Sequence, residues 1–309
     1  MCTFSTRSAR RASLILIATI FALAVAVNSW LKTSVLSGRL CFSQFRQDQF
    51  VVNLLQKKRE GVFIDVGASD GLTNSNSAQL QWYYGWRGVC VEPGSRKRLL
   101  RWIRPTCINV AAPMSSTERD VVFAHSKRTA EHSGVESTSH WANSNDPRER
   151  TDGEHVRTAT LNGTLASWRK QLWPGTEQHL PMVPVFKNGT QLRREKPRVD
   201  FLSVDAEGHE YEVLQGFPFK QYSLGVLSVE RNAAKDTVHK LIKTKSKLVH
   251  AGLLGADDVY VAPELAQRAR ELLRQTSNAE LPLGATPLYS ELEAIAKRML
   301  PFLQRWRRL

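Results

Sequence analysis

Five short apolar runs restrict the folds open to this chain: VFIDVG from Val62, GVCVEP from Gly88, CINVAA from Cys107, VDFLSVDAEG from Val199 and LGVLSVERN from Leu224. They are rich in β-branched residues, and such runs read as buried parallel strands. Segments of helical character lie between them at Asn76 to Tyr84, Arg96 to Ile103 and Glu210 to Gln215. That alternation predicts a doubly wound α/β sheet. Asp258 to Val261 is expected to add a last strand. Ahead of the first strand, Phe45, Phe50, Val51, Leu54 and Leu55 recur at helical spacing, which predicts an amphipathic entry helix over 44–58.

Two polar stretches interrupt this rhythm. Residues 126–157 contain almost nothing that can pack and are expected to be a surface loop or a lid over a ligand cleft. Residues 172–198 form a second insertion containing Pro and Arg. From Pro263 to Leu309 the composition is helical and basic, with Leu265, Ala269, Leu272 and Leu273 on one stripe, and this segment is expected to be an appendage to a domain spanning 43–262. With 309 residues, 42% hydrophobic and 23% charged, one sizeable core is expected and wholesale disorder is excluded.

The net charge of +14 would suit phosphates, sulfates or acidic sugars. The basic residues around Arg96–Arg104, Arg193–Arg198 and Arg305–Arg308 carry no zinc-finger, RNP or basic-zipper spacing, so they read as a solvated surface and no nucleic-acid partner is expected. Four cysteines are too few for a disulfide framework: Cys90 is expected to be a small buried hydrophobe, and whether Cys41 pairs with Cys107 is left open by the spacing. The sequence carries no signal for oligomeric state.

Arg7, Arg10 and Arg11 precede an apolar stretch from Ala12 to Val27 that Trp30 and Leu31 extend. A bilayer-spanning helix needs about 20 mostly apolar residues, and 12–31 just reaches that length, so 1–31 reads as a signal anchor followed by a stem over 32–42. The competing reading is a cleaved signal peptide and a secreted product, since Ala24-Val25-Ala26 matches a small-x-small cleavage site. In the anchor reading the chain is a type II membrane protein of the secretory pathway, ER or Golgi, with its catalytic domain lumenal. Two glycosylation sequons, Asn162-Gly-Thr164 and Asn188-Gly-Thr190, agree with that compartment.

The strongest chemical motif is FIDVGASDG, Phe63 to Gly71. A strand there ends in Asp65, and Gly67 and Gly71 permit a tight turn in which backbone approaches a ligand closely. Glu92 ends the second strand 27 residues after Asp65, where an acid binds ribose hydroxyls. G-x-G-x-x-G is absent, so a nucleoside ligand without pyrophosphate is preferred to a dinucleotide. A second constellation, VDFLSVDAEGHEYE, crowds Asp205, Glu207, His209 and Glu210 around Gly208 at another strand end. Acids so close raise one another's pKa toward a range useful for general base work, although Glu210 and Glu212 also suit helix capping. Glu230 is the next carboxylate at the same sheet edge, and no metal is expected.

These motifs resemble the FkbM methyltransferase family. The resemblance rests on Ser43-Gln44 with Gln47-Asp48, on Asp65 to Ala68 with Ser75-Asn76, on Gly85-Trp86-Arg-Gly88 with Glu92-Pro93, and on Asp205, Glu207, Gly208 and Glu210, all in the family's order. Arg46 departs from it where many relatives have Gly, and the stretch around Glu131 to Val135 is much extended. The resemblance implies a Rossmann-like class I methyltransferase fold with S-adenosyl-L-methionine as cofactor. It implies Asp65, Gly67, Ser69, Gly71 and Asn76 near that cofactor and Glu92 on its ribose, while the acid cluster makes Asp205 or Glu207 the expected base or orienter. O-methylation of a glycan or other hydroxyl-bearing acceptor is the expected activity. The membrane-anchored start is similar to the family's Star-like branch, which offers an alternative: an inactive protein in cargo binding or trafficking.

Overall fold

In the computed structural model, residues 25–38, 40–125, 133–138, 153–174, 185–187, 190–192, 196–277 and 286–287 are described, with 19, 21 and 22. The five apolar runs are strands of one sheet: β1 (Val62–Val66), β2 (Arg87–Val91), β3 (Ile108–Val110), β4 (Arg198–Val204) and β5 (Ser223–Glu230). With β6 (Val249–Leu254) and β7 (Asp257–Val261) they make seven strands in the spatial order 3-2-1-4-5-7-6. Strands β1 to β5 are parallel, while β7 runs antiparallel to both β5 and β6. The order reverses where β1 pairs with β4, Phe63 opposite Phe201 and Val66 opposite Val204, and ligands of open α/β sheets bind at the carboxyl ends of strands at such a point.

All five residues of β1 are buried because helices cover both faces, and the strand period of two divides its side chains between two cores. Ile64 and Val66 face a cluster with Val213 and Leu214 of α4 (Glu210–Gln215) and Val238 and Ile242 of α5 (Lys235–Lys245). Phe63 faces the other cluster, with Phe50 and Leu54 of α1 (Gln47–Leu54), Leu80 of α2 (Ala78–Tyr84) and Leu100 of α3 (Lys97–Ile103). Leu265, Ala269, Leu272 and Leu273, read from sequence as one apolar stripe, join this second core: they lie on or just before α6 (Ala266–Ser277), which packs on β6 and α1. The sheet's helical cover therefore extends through Ser277.

Helix α1 is shorter than the entry helix expected over 44–58. Arg46 stands in the left-handed region before it (φ 66), and Gln56 and Lys57 take positive φ after it. Upstream, residues 32–36 of the expected stem are helical, and Val35, Leu40 and Phe42 pack against Ala78. No described helix is long and apolar enough to cross a membrane, and the anchor expected over 12–31 lies partly outside the described residues.

Two expectations need correction. Cys90 is not a lone buried apolar residue: it forms a disulfide with Cys107, and among the described residues Cys41 is free and buried. The pairing follows from the sheet order, which lays β3 beside β2 and brings the two Cα atoms to 6.2 Å. Within 126–157, the expected loop contributes two strands, Ser133–Val135 and Glu154–Arg157, which flank Asp120–His125 in a small antiparallel sheet. In the second insertion Val185–Lys187 pairs antiparallel with Thr190–Leu192.

Candidate functional site

A cavity of about 260 Å³ lies at the carboxyl ends of β1, β2, β4 and β5. Its floor is the turn after β1. The amides of Gly67 and Ala68 donate to the Val91 carbonyl at 3.0 and 2.9 Å, and the Asp205 amide donates to the Val66 carbonyl at 3.0 Å. Gly67 has φ +87, and a Cβ placed there would stand 2.0 Å from the Asp205 carbonyl oxygen, so only glycine lets these two strand ends approach so closely.

Glu92 clamps the far side of this turn. One carboxylate oxygen accepts from the Ser69 amide at 2.9 Å and the other from the Gly94 amide at 2.6 Å, while burial raises its pKa against those bonds and the nearby Arg96 and Lys97. Ser69 (φ 50) accepts through Oγ from Arg96 at 2.9 Å, which joins both predicted residues to the β2–α3 connection. Asn76 donates from Nδ2 to Ser203 Oγ at 2.9 Å, and its buried Oδ1 has no hydrogen-bond partner, leaving an acceptor in the cavity wall. Helix α2 starts after it because Ser75 Oγ accepts from the Ala78 amide at 3.1 Å.

Asp65 sits at the cavity's base, accepting from Ser77 Oγ at 2.5 Å. Burial raises its pKa; the Ser77 bond and the Arg104 guanidinium oppose that. Arg104 is fully buried and donates to Gln81, to the Gly71 carbonyl at 3.0 Å and to Ser75 and Ser77 hydroxyls at 3.3 Å. Gly71 is the one predicted site residue outside the cavity lining. A Cβ on it would meet Leu100 and Arg104 at 2.7 Å, so its place is in the packing under the turn.

Opposite lies the acid cluster. Oxygens of Asp205, Glu210 and Glu230 all fall within 4.8 Å of one another, and Glu207 and Asp257 border the same space. Asp205 is exposed where it opens onto the cavity, yet protein packed around its carboxyl strips solvation and, with Glu230, Asp257, Glu210 and Asp65 nearby, pushes it well above the usual carboxylate range. Glu230 is pushed up to about 8, first by burial and then by its acidic neighbours, while a hydrogen bond with Asp205 opposes the shift. Two carboxyls so close titrate as a pair and do not ionise independently. Glu210 is committed elsewhere: it accepts from the amides of Ala206 and Gly208 at 2.9 and 3.0 Å and from Asn232, bracing the turn that holds Glu207 at φ 53. Asp205, Glu210 and Glu230 are also the described residues that could hold a cation.

His209 is buried and pushed down to about 4 by lost solvation and Arg119, so it is neutral at pH 7. Its Nδ1 lies 2.8 Å from Thr138 Oγ1 and its Nε2 3.3 Å from Ser115 Oγ. With both ring nitrogens occupied, it ties the 133–138 segment to the sheet.

Structure thus brings Asp65, Gly67, Ser69, Asn76, Glu92, Asp205 and Glu207 around one hollow. It adds residues that sequence reasoning passed over. Asp257 enters from β7, accepting from Ser228 Oγ at 2.6 Å and Gln47 Nε2 at 3.1 Å, and Phe123, Ser133 and Val135 come from the small sheet. Asp257 adjoined the expected last strand, but only the antiparallel return through β7 carries it to the site.

A crevice at the sheet's reversal point, a glycine turn beside it and an acid at the end of the second strand define a doubly wound α/β protein with its ligand crevice at the topological switch point. The chain belongs to the FkbM methyltransferase family, for the family's methyltransferase FkbM domain matches residues 65–247. No curated protein and no solved structure matches the chain. Gln47 and Asp257, which join hands beneath the acid cluster, lie outside the matched span.

Proposed function

We propose that this protein is a membrane-anchored, S-adenosylmethionine-dependent O-methyltransferase that modifies a glycan or glycoconjugate hydroxyl in the lumen of the secretory pathway. The observation that carries the reading is the pairing of the Gly67 turn with Glu92 on one side of the hollow and Asp205 with Glu230 on the other.

The residues present fit this cofactor. Glu92 keeps lone pairs beyond those given to Ser69 and Gly94 and would hold ribose hydroxyls; the unpaired Asn76 Oδ1 would accept from an amino or hydroxyl group. When bound, S-adenosylmethionine supplies a methyl group on a positively charged sulfur. The chain's own part is to align the acceptor and exclude water, worth at most on the order of 7–11 kcal/mol. The ionised member of the Asp205–Glu230 pair takes the acceptor's proton, and Glu207 orients the hydroxyl.

The lumenal address is supported by the basic cluster before the apolar segment, by Asn162 of the first sequon standing exposed at the start of the helix Leu161–Ser167, and by the Cys90–Cys107 disulfide. Asn188 lies outside the described residues. The test is calorimetry of the full chain with S-adenosylmethionine, followed by methyl-labelling of a membrane glycan fraction. Micromolar binding lost in Glu92→Ala and labelling lost in Asp205→Ala are expected. Absence of binding would favour the Star-like trafficking reading, and unchanged labelling in Asp205→Ala would remove that residue from the chemistry.

A further inference from the structure

Between Asp70 and Glu118 the only acidic residue is Glu92, which points into the cavity. Helices α2 and α3 fall within this stretch, and their outward face is therefore free of negative charge. On α3, Leu99 is 45% and Trp102 80% exposed, three residues apart and hence on one side of the helix, with exposed Arg98 and Arg101 beside them. Trp82 on α2 is also exposed and belongs to the same flank: its ring lies 5.5 Å from the Arg104 guanidinium at the end of α3, and Gln81 donates to Thr106 at 2.9 Å.

This flank is continuous with the place where the chain enters the domain. Phe42 meets Trp82 edge-on at 5.5 Å and packs with Val35 and Leu31, the last turns of the N-terminal helix. Above them on that helix Val25, Val27 and Trp30 are exposed, and the apolar stretch of the sequence lies just upstream. Indole rings flanked by arginines are the side chains that settle at a headgroup layer, where the ring sits among glycerol groups and the guanidinium meets phosphate.

We propose that the outer face of α2 and α3 docks the domain onto the surface of a phospholipid bilayer carrying anionic headgroups, with Trp102 as the inserted residue and Arg98 and Arg101 on lipid phosphate. The docked pose holds the catalytic domain against the membrane rather than on a free stalk. An isologous contact between two copies through this face would set arginine against arginine, which charge opposes. The proposal shares with the preceding reading only the membrane location, and catalysis has no part in it.

The experiment uses the full chain bound to vesicles of phosphatidylcholine and phosphatidylserine, with and without brominated acyl chains, which quench tryptophan emission. Wild type, Trp102→Phe and the double variant Arg98→Glu/Arg101→Glu are compared. Because none of these residues lines the cavity, S-adenosylmethionine affinity should be the same in all three and serves as the folding control. Bromolipid quenching is expected in the wild type, with its largest single component lost in Trp102→Phe, and reduced in the double variant although Trp102 is intact. If the chain floats with vesicles but the Trp102 component is unquenched, the docking face is wrong and a protein partner or second copy occupies it. If the chain does not float with vesicles at all, the membrane location itself fails.

Discussion

Gly67 and Asp205 are in backbone contact across β1 and β4: a Cβ on the glycine would come within 2.0 Å of the Asp205 carbonyl oxygen, and the glycine's φ is +87. Gly67→Ala must therefore move the strand end that carries Asp205. It is expected to cost roughly 3 kcal/mol or more and to abolish detectable S-adenosylmethionine binding. Gly85→Ala is the control: φ is +70 but nothing lies within 4 Å of an added Cβ, so only about 1 kcal/mol of conformational cost should appear in denaturant titrations, with binding intact.

Glu230 and His209 shape stability against pH in opposite directions. The Glu230 carboxyl is raised from 4.5 to about 8 on folding, so its contribution is complete below 4.5 and is lost as pH rises through 8. His209 is lowered from 6.5 to about 4, so its contribution is complete above 6.5 and is lost as pH falls through 4. The windows overlap from 4.5 to 6.5, where the two slopes oppose each other, so thermal melts should show a broad maximum there and a decline from pH 6.5 to 8. In Glu230→Gln the decline from pH 6.5 to 8 should flatten; melting profiles parallel to wild type would show that the carboxyl is not raised.

Arg104 cannot be replaced by lysine without loss. Its fork reaches Gln81, Gly71, Ser75 and Ser77 at once, and an ammonium on a flexible stem cannot span that set. Arg104→Lys is expected to cost about 3 kcal/mol, because buried acceptors lose their donor. Hydrogen exchange should rise over residues 71–77 before it does in β5.

The Cys90–Cys107 disulfide closes a loop between residues 17 apart, for which chain entropy gives about 3 kcal/mol. The double variant Cys90→Ala/Cys107→Ala should lose that much stability. Peptide mapping without reductant should join these two cysteines, and Cys41, buried and pushed up to about 12, should resist alkylation until the chain unfolds.

Arg46 holds a left-handed conformation in front of α1 with no side-chain cap there. Glycine takes that conformation without steric cost, so Arg46→Gly is expected to raise stability by up to about 1 kcal/mol. Urea titration checks this, and a loss of stability would mean that the Arg46 side chain supports the entry turn.

Much of the architecture was legible in local patterns. The runs around Ile64, Val89, Ile108, Leu202 and Leu227 are strands because a sheet buried on both faces demands continuous apolar residues, and that signal survives without any neighbour in view. Asp65, Gly67 and Glu92 could be named because a strand end, a turn and the next strand end are close in sequence. Gly71 fits the same turn motif, and its own surroundings are Leu100 and Arg104.

Sequence by itself determined the parallel sheet, the glycine turn, the acid on the second strand and the carboxylates after the fourth, each a matter of residue type within a short window. Tertiary structure alone decided which distant groups meet. Strand order put Cys107 beside Cys90, the β7 return brought Asp257 to Asp205, and packing of the N-terminal segment on α2 set Phe42 against Trp82. Periodicity reports the face on which a side chain lies, whereas proximity between elements depends on how whole faces are buried together, which no local window contains.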